Sequence, residues 1–134
     1  MVSVGDVLYL FVEDTDPPKK KYFFVLGMTE NEVSIASFYV NSEINLNVNN
    51  NPVLVKYNIE INPSDYPFLS YKSYLDCTKM VIRDKKEFDE IVRNRPEAVV
   101  YKLTDIQLHH LRSIIREVPT FKGKIINKFG FYDN

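Results

Sequence analysis

Three blocks in the first forty residues are apolar almost without interruption: Val7 to Val12, Tyr22 to Leu26, and Val33 to Val40. Runs of this length, rich in β-branched and aromatic side chains, predict buried strands. The links between them are of two kinds. Glu13-Asp14-Thr15-Asp16-Pro17-Pro18 is a turn-rich loop whose prolines preclude further pairing, whereas Thr29-Glu30-Asn31-Glu32 after Gly27 is a short hairpin connection. The pattern is that of a β-meander. The third block ends abruptly in Asn41-Ser42-Glu43, a hydroxyl between an amide and a carboxylate at a strand's mouth.

Beyond this point regularity is lost. The asparagine-rich stretch from Asn45 to Asn51, with Pro52 behind it, reads as a loop. Val53 to Ile61 alternates in part, and its period of two predicts a strand. After the turn residues Asn62 to Pro67, the apolar positions between Ser73 and Ile82 predict a further strand pair.

Helical signals follow. Asp84 and Glu87 stand three apart ahead of Phe88, Ile91 and Val92, a capping arrangement before an apolar i, i+3, i+4 pattern that Pro96 ends. Thr104 and Gln107 repeat it ahead of Leu108, Leu111, Ile114, Ile115 and Val118, and Pro119 stops that helix. Ala98 to Leu103 between them predicts a short strand. The tail, Phe121 to Asn134, mixes lysines with aromatic residues and reads either as an arm packed on the body or as a partly free segment.

The order of elements predicts an α+β fold with a mostly antiparallel sheet. Strongly curved and closed by short helices, it would be a small SH3-like barrel. With 134 residues, no internal repeat and no boundary, the chain reads as one domain, 1–134, with 121–134 as a candidate separate arm. Nine Tyr and nine Phe with no Trp strengthen the β reading.

Charge and cysteine content narrow the chemistry. A net charge of −1 argues against a general electrostatic grip on a duplex, while leaving room for a local basic site on a single strand. The single cysteine, Cys77, excludes an internal disulfide and a multi-cysteine zinc site, and fits a reducing compartment. No apolar stretch approaches the ~20 residues that span a bilayer, and no secretion signal is visible, so the expectation is a cytoplasmic protein without membrane contact.

"GDVLYLFVED" with its proline loop, "KYFFVLG", the strand ending in "NSEI", "FLSYKSYLDCTKM" and "AVVYKLTDIQLHHLRSII" together resemble the PemK/MazF-like toxin family over residues 4 to 118. The chain looks like a divergent member. The resemblance implies an SH3-like barrel and a metal-independent, cofactor-free endoribonuclease acting on single-stranded RNA. It also implies a homodimer and a cognate antitoxin partner. The family's catalytic arginine and hydroxyl fall on Lys21 and Ser42. Lys19, Lys20, Tyr22, Asn41 and Glu43 then become the RNA-binding candidates. The departure is Lys21-Tyr22 where the family has Arg-Pro. A lysine is a point charge without the bidentate fork of arginine. The alternative is a non-catalytic binding module on the same barrel, recognising a protein or nucleic-acid partner.

Each candidate has a plainer reading. The lysine run can be a solvated charged turn. Ser42 can be a hydroxyl bonded to nearby backbone. His109 and His110 are adjacent, so they point about 100° apart on a helix and do not form an i, i+4 metal pair. Asp76-Cys77 reads as a buried structural cysteine rather than a nucleophile. The asparagine run is either a cleft wall or a surface insertion.

Overall fold

The computed structural model describes residues 1–12, 17–44 and 51–133. Residues 13–16 of the proline loop, 45–50 of the asparagine run and Asn134 lie outside the described residues. The fold is α+β. Seven strands form one curled antiparallel sheet, a half-barrel: β1 (Asp6–Val12), β2 (Lys19–Met28), β3 (Ser34–Asn41), β4 (Asn58–Ile61), β5 (Ser73–Asp76), β6 (Val81–Asp84) and β7 (Val99–Lys102). The strand order is β4-β5-β3-β2-β1-β7, with β6 also beside β3. The helices are α1 (Pro52–Val55), α2 (Lys85–Asn94), α3 (Asp105–Glu117) and α4 (Gly123–Lys128).

The first three strands are apolar throughout because both faces of the sheet are covered. Successive side chains on a strand point to opposite faces. Val7, Phe24, Leu26, Ala36, Phe38 and Val40 face one core, completed by Leu111 and Ile115 of α3 and by Ile126, Phe129 and Phe131. Leu8, Leu10, Val12, Phe23, Val25, Ile35 and Tyr39 face the other, completed by Phe88 of α2, Val2 and Ala98.

The expected strand pair between Ser73 and Ile82 exists as β5 and β6, but the two do not pair with each other. Val40 and Asn41 at the end of β3 pair with Leu75 and Tyr74, while Ser34 to Ser37 at its start pair with Asp84 to Val81. The Asp76 carboxylate accepts from the Thr78 backbone N–H and hydroxyl, turning the chain between them.

The expected strand from Val53 to Ile61 is corrected. Its first part is the helical turn α1, with Asn51 as cap accepting from the Val53 N–H and Pro52 in the first position, so only Asn58–Ile61 is strand. Capping chemistry overrode a weak period of two. The two longer helices start where the sequence places them. The Asp84 side chain accepts from the Lys86 N–H, and Thr104 with Gln107 forms a reciprocal capping box.

The tail packs on the body: Phe129 and Phe131 are fully buried. Arg112 Nε donates to the Leu26 carbonyl (2.8 Å) and its Nη1 to the Asp133 carbonyl (3.3 Å), and Arg116 Nη1 donates to the Phe131 carbonyl (2.8 Å). Gly27 makes the close approach possible. The Met28 N–H donates to the Phe129 carbonyl at 3.0 Å, and a Cβ on Gly27 would lie 2.8 Å from that oxygen and 2.9 Å from the Phe131 ring.

Gly27→Ala therefore forces the tail off β2, and urea denaturation should show a loss of about 1–3 kcal/mol. A stability unchanged from wild type would mean that the tail does not need this contact. A second prediction concerns acid. Asp89 accepts from the Val2 N–H (2.8 Å) and from Lys85 Nζ (2.8 Å). Burial pushes its pKa up, but the Lys85 and Val2 hydrogen bonds, with the charges of Lys85 and the N-terminus, outweigh this and hold it below the usual carboxylate value. A depressed folded-state pKa stabilises above the unfolded value and is lost as pH falls through the folded one. The urea midpoint of the wild type should accordingly drop more steeply below about pH 4 than that of Asp89→Asn.

Candidate functional site

The lysine run is part of β2 rather than a loop, longer at its start than the apolar block suggests. Lys19, Lys20, Lys21 and Tyr22 lie opposite Val12, Phe11, Leu10 and Tyr9 of β1. Strand alternation then divides them. Tyr22 lies against Tyr9 with ring centroids 4.4 Å apart and against Phe68 at 5.0 Å, and Lys20 Nζ stands 5.4 Å from the Tyr9 ring. Lys21 goes with the opposite face. Its Nζ donates to Asn41 Oδ1 and stands 5.2 Å from the Tyr39 ring. The ladder explains this partner: Phe23 pairs with Tyr39, and the same antiparallel register two residues on sets Lys21 opposite Asn41.

A recess of about 230 Å³ opens at this end of the sheet, lined by Tyr9, Lys19, Lys20, Lys21, Tyr22, Val40, Asn41, Ser42, Leu69, Ser70, Tyr71 and Ser73. It gathers six of the seven residues singled out in the sequence: Lys19, Lys20, Lys21, Tyr22, Asn41 and Ser42. Glu43 is exposed and does not line it. The residues that sequence reasoning missed come from elsewhere in the chain: Tyr9 in β1 and the Leu69–Tyr71 segment with Ser73. Tyr9 carried a usable signal. It shares the strand face of Val7, and counting by two pairs it with Tyr22.

Electrostatically the recess is one-sided. Three lysines and several hydroxyls line it, and no carboxylate or imidazole does among the described residues. Burial raises the Tyr22 pKa, with further contributions from Tyr9 and Tyr71, so its phenol stays protonated at neutral pH and acts as a donor, here towards the Phe68 carbonyl at 3.4 Å. The arrangement can neutralise an anion and stack a planar ring. It holds no residue poised to take a proton. A larger hollow of about 960 Å³ lies between Thr29–Asn31 and the end of α4, but Lys128 there is accompanied by Glu30 and Asp133, and no aromatic residue lines the hollow among the described residues.

The remaining candidates lie apart. His109 and His110 are exposed on α3, and no cluster of three or more His, Cys, Asp or Glu forms among the described residues. Cys77 is fully buried, and burial first, then the charge of Asp76, pushes its thiol far up. No helix among the described residues is long and apolar enough to cross a membrane. No protein-family model matches the chain, and no curated protein matches it.

The thiol supplies a test of the burial. Cys77 should react with a thiol-specific chromophore only as fast as the core opens, and become fully reactive in denaturant. Rapid labelling of the native protein would place it outside the core.

Proposed function

We propose that the chain binds single-stranded RNA in the lysine–tyrosine recess and cuts it there without a metal, as a toxin-like endoribonuclease. The observation that carries this reading is the convergence of Lys19, Lys20, Lys21, Tyr22, Asn41 and Ser42 on one recess with Tyr9 and Tyr71. Cations beside aromatic rings suit a single strand, whose phosphates need neutralising and whose unstacked bases need a surface. The overall charge of −1 makes this a local attraction.

In the cleavage step the ribose 2′-oxygen attacks the adjacent phosphorus. A bond forms from the 2′-oxygen to phosphorus, the bond to the 5′-oxygen breaks, and a cyclic phosphate and a free 5′-hydroxyl result. Lys21 and Lys20 stabilise the negative charge that builds on the phosphoryl oxygens. Ser42 positions the phosphate by hydrogen bonding. Glu43, exposed beside Ser42 and outside the recess lining, takes the 2′-proton through an intervening water, and the leaving oxygen takes a proton from a lysine ammonium. A homodimer, and an antitoxin segment whose acidic side chains cover the lysines, belong to the same proposal.

A second reading is favoured by one specific observation, the lack of any carboxylate or imidazole among the described residues lining the recess. On that reading the recess binds RNA and does not cut it.

The deciding experiment incubates purified protein with long single-stranded RNA in EDTA and follows binding by fluorescence anisotropy in parallel. Cutting that falls at least about a hundredfold in Lys21→Ala and in Ser42→Ala supports the endoribonuclease. Intact RNA bound by the wild type, and lost from Lys20→Ala, supports the binding module. Neither cutting nor binding would remove RNA from the account.

A further inference from the structure

Three cations surround one ring on the face of β2 and β3 that carries Tyr39. Lys21 Nζ lies 5.2 Å and Lys79 Nζ 5.8 Å from the centroid of Tyr39, and Arg83 Nη2 donates to the Tyr39 hydroxyl at 3.2 Å. They come from three places in the chain: β2, the turn before β6, and β6 itself. β3 brings them together, because Tyr39 sits between Phe23 of β2 and the strands on its other side.

Like charges gathered in this way repel one another unless something offsets them. Neither Lys79 nor Arg83 is within ion-pair distance of a carboxylate among the described residues, whose ion pairs are Lys72–Glu60, Lys85–Asp89 and Lys102–Asp6. Glu87 lines a hollow of about 380 Å³ together with Arg83 and Arg95.

We propose that Lys79 and Arg83, gathered with Lys21 around Tyr39, form a second phosphate site for the same RNA strand, adjoining the recess through Lys21. This rests on the RNA reading given above. The donor set fits a phosphate: one guanidinium, two ammonium groups and a phenol. Because the Tyr39 hydroxyl accepts from Arg83, its own proton is left to donate. The ring itself is 8% exposed and packs edge-on against Phe23 at 4.7 Å, so it presents no surface on which a base could stack. The cluster takes backbone charge, and the recess takes bases. Lys21 joins the two, since it lines the recess and also stands over Tyr39. An RNA strand leaving the recess thus passes over the end of β3, with Lys21 under the phosphate at the crossing.

The test compares a trinucleotide with a nonanucleotide, both fluorescein-labelled single-stranded RNA, by anisotropy between about 50 and 200 mM KCl. Each phosphate contact to a single strand contributes about 0.7 to the slope of log affinity against log salt. Lys79→Gln/Arg83→Gln should weaken the nonanucleotide about tenfold, lower its slope by about 0.7, and leave the trinucleotide unchanged. The charge-preserving pair Lys79→Arg/Arg83→Lys should keep the wild-type slope, and it keeps the test decisive if the glutamine pair folds poorly. Lys20→Gln should weaken both oligonucleotides.

If the glutamine pair binds the nonanucleotide as wild type does while Lys20→Gln weakens both, the second site is wrong and the recess stands. If Lys20→Gln changes neither, or the wild type binds neither, both are wrong. If the glutamine pair loses binding of labelled polyglutamate and keeps that of RNA, the cluster serves an acidic protein partner instead.

Discussion

The pleat of β2 governs both the fold and the site. Each residue along that strand must point to one face or the other, with no choice beyond the parity of its position. From Phe23 to Leu26 this parity feeds two cores in turn, Phe24 and Leu26 on one side and Phe23 and Val25 on the other. The same rule, continued towards the start of the strand, divides the lysines: Lys20 and Tyr22 go with Tyr9, and Lys21 goes with Tyr39 and Asn41. A one-residue slip of β2 would exchange the cores and the cations together. The face to which each lysine belongs is therefore set by the same register that buries the phenylalanines.

That parity is useful only if both faces are covered, and the two covers differ in kind. On the Phe23 side, α2 contributes Phe88, and the N-terminal residues are tied down through Val2 and Asp89. On the Phe24 side the cover is shared by α3, the tail and the segment carrying Tyr66, Phe68 and Leu69. The arginines of α3 grip carbonyl oxygens of β2 and of the tail rather than carboxylates. These are charge-assisted bonds to neutral acceptors, which satisfy buried backbone oxygens as well as cross-linking the layers.

Much of this was legible in the sequence, for identifiable reasons. Strands β1 to β3 announced themselves as unbroken apolar runs, and α3 through a capping box visible as Thr104 and Gln107. The α1 turn is hidden in the sequence because Val53, Val55 and Tyr57 alternate, while its helix start is carried by only two residues, Asn51 and Pro52. The tail was ambiguous because its lysines and aromatics alternate too closely to show a buried face. Only the Gly27 approach and the arginine bonds from α3 decide it. Of the recess, the lysines, Tyr22, Asn41 and Ser42 were within reach of a local reading. Tyr9 showed its face through its spacing from Val7 but needed the register to meet Tyr22, and Tyr71 is brought in by a turn. The grouping of Lys79 and Arg83 about Tyr39 is purely a matter of topology, as nothing local connects those positions.

The way the layers are tied together has a consequence for how the chain reaches this state. The bonds that close the molecule join residues far apart in sequence: Arg112 to Leu26 at a separation of 86, Val2 to Asp89 at 87, and Lys102 to Asp6 at 96. Non-local closure of this kind slows folding, because chain entropy is lost before the contacts that compensate for it are made. The β1–β3 meander can assemble early from neighbouring segments. Until Phe129 and Phe131 arrive, it carries an uncovered apolar face of aromatic residues. A chain halted at that stage would expose Phe24 and Phe38, side chains that are fully buried in the finished fold.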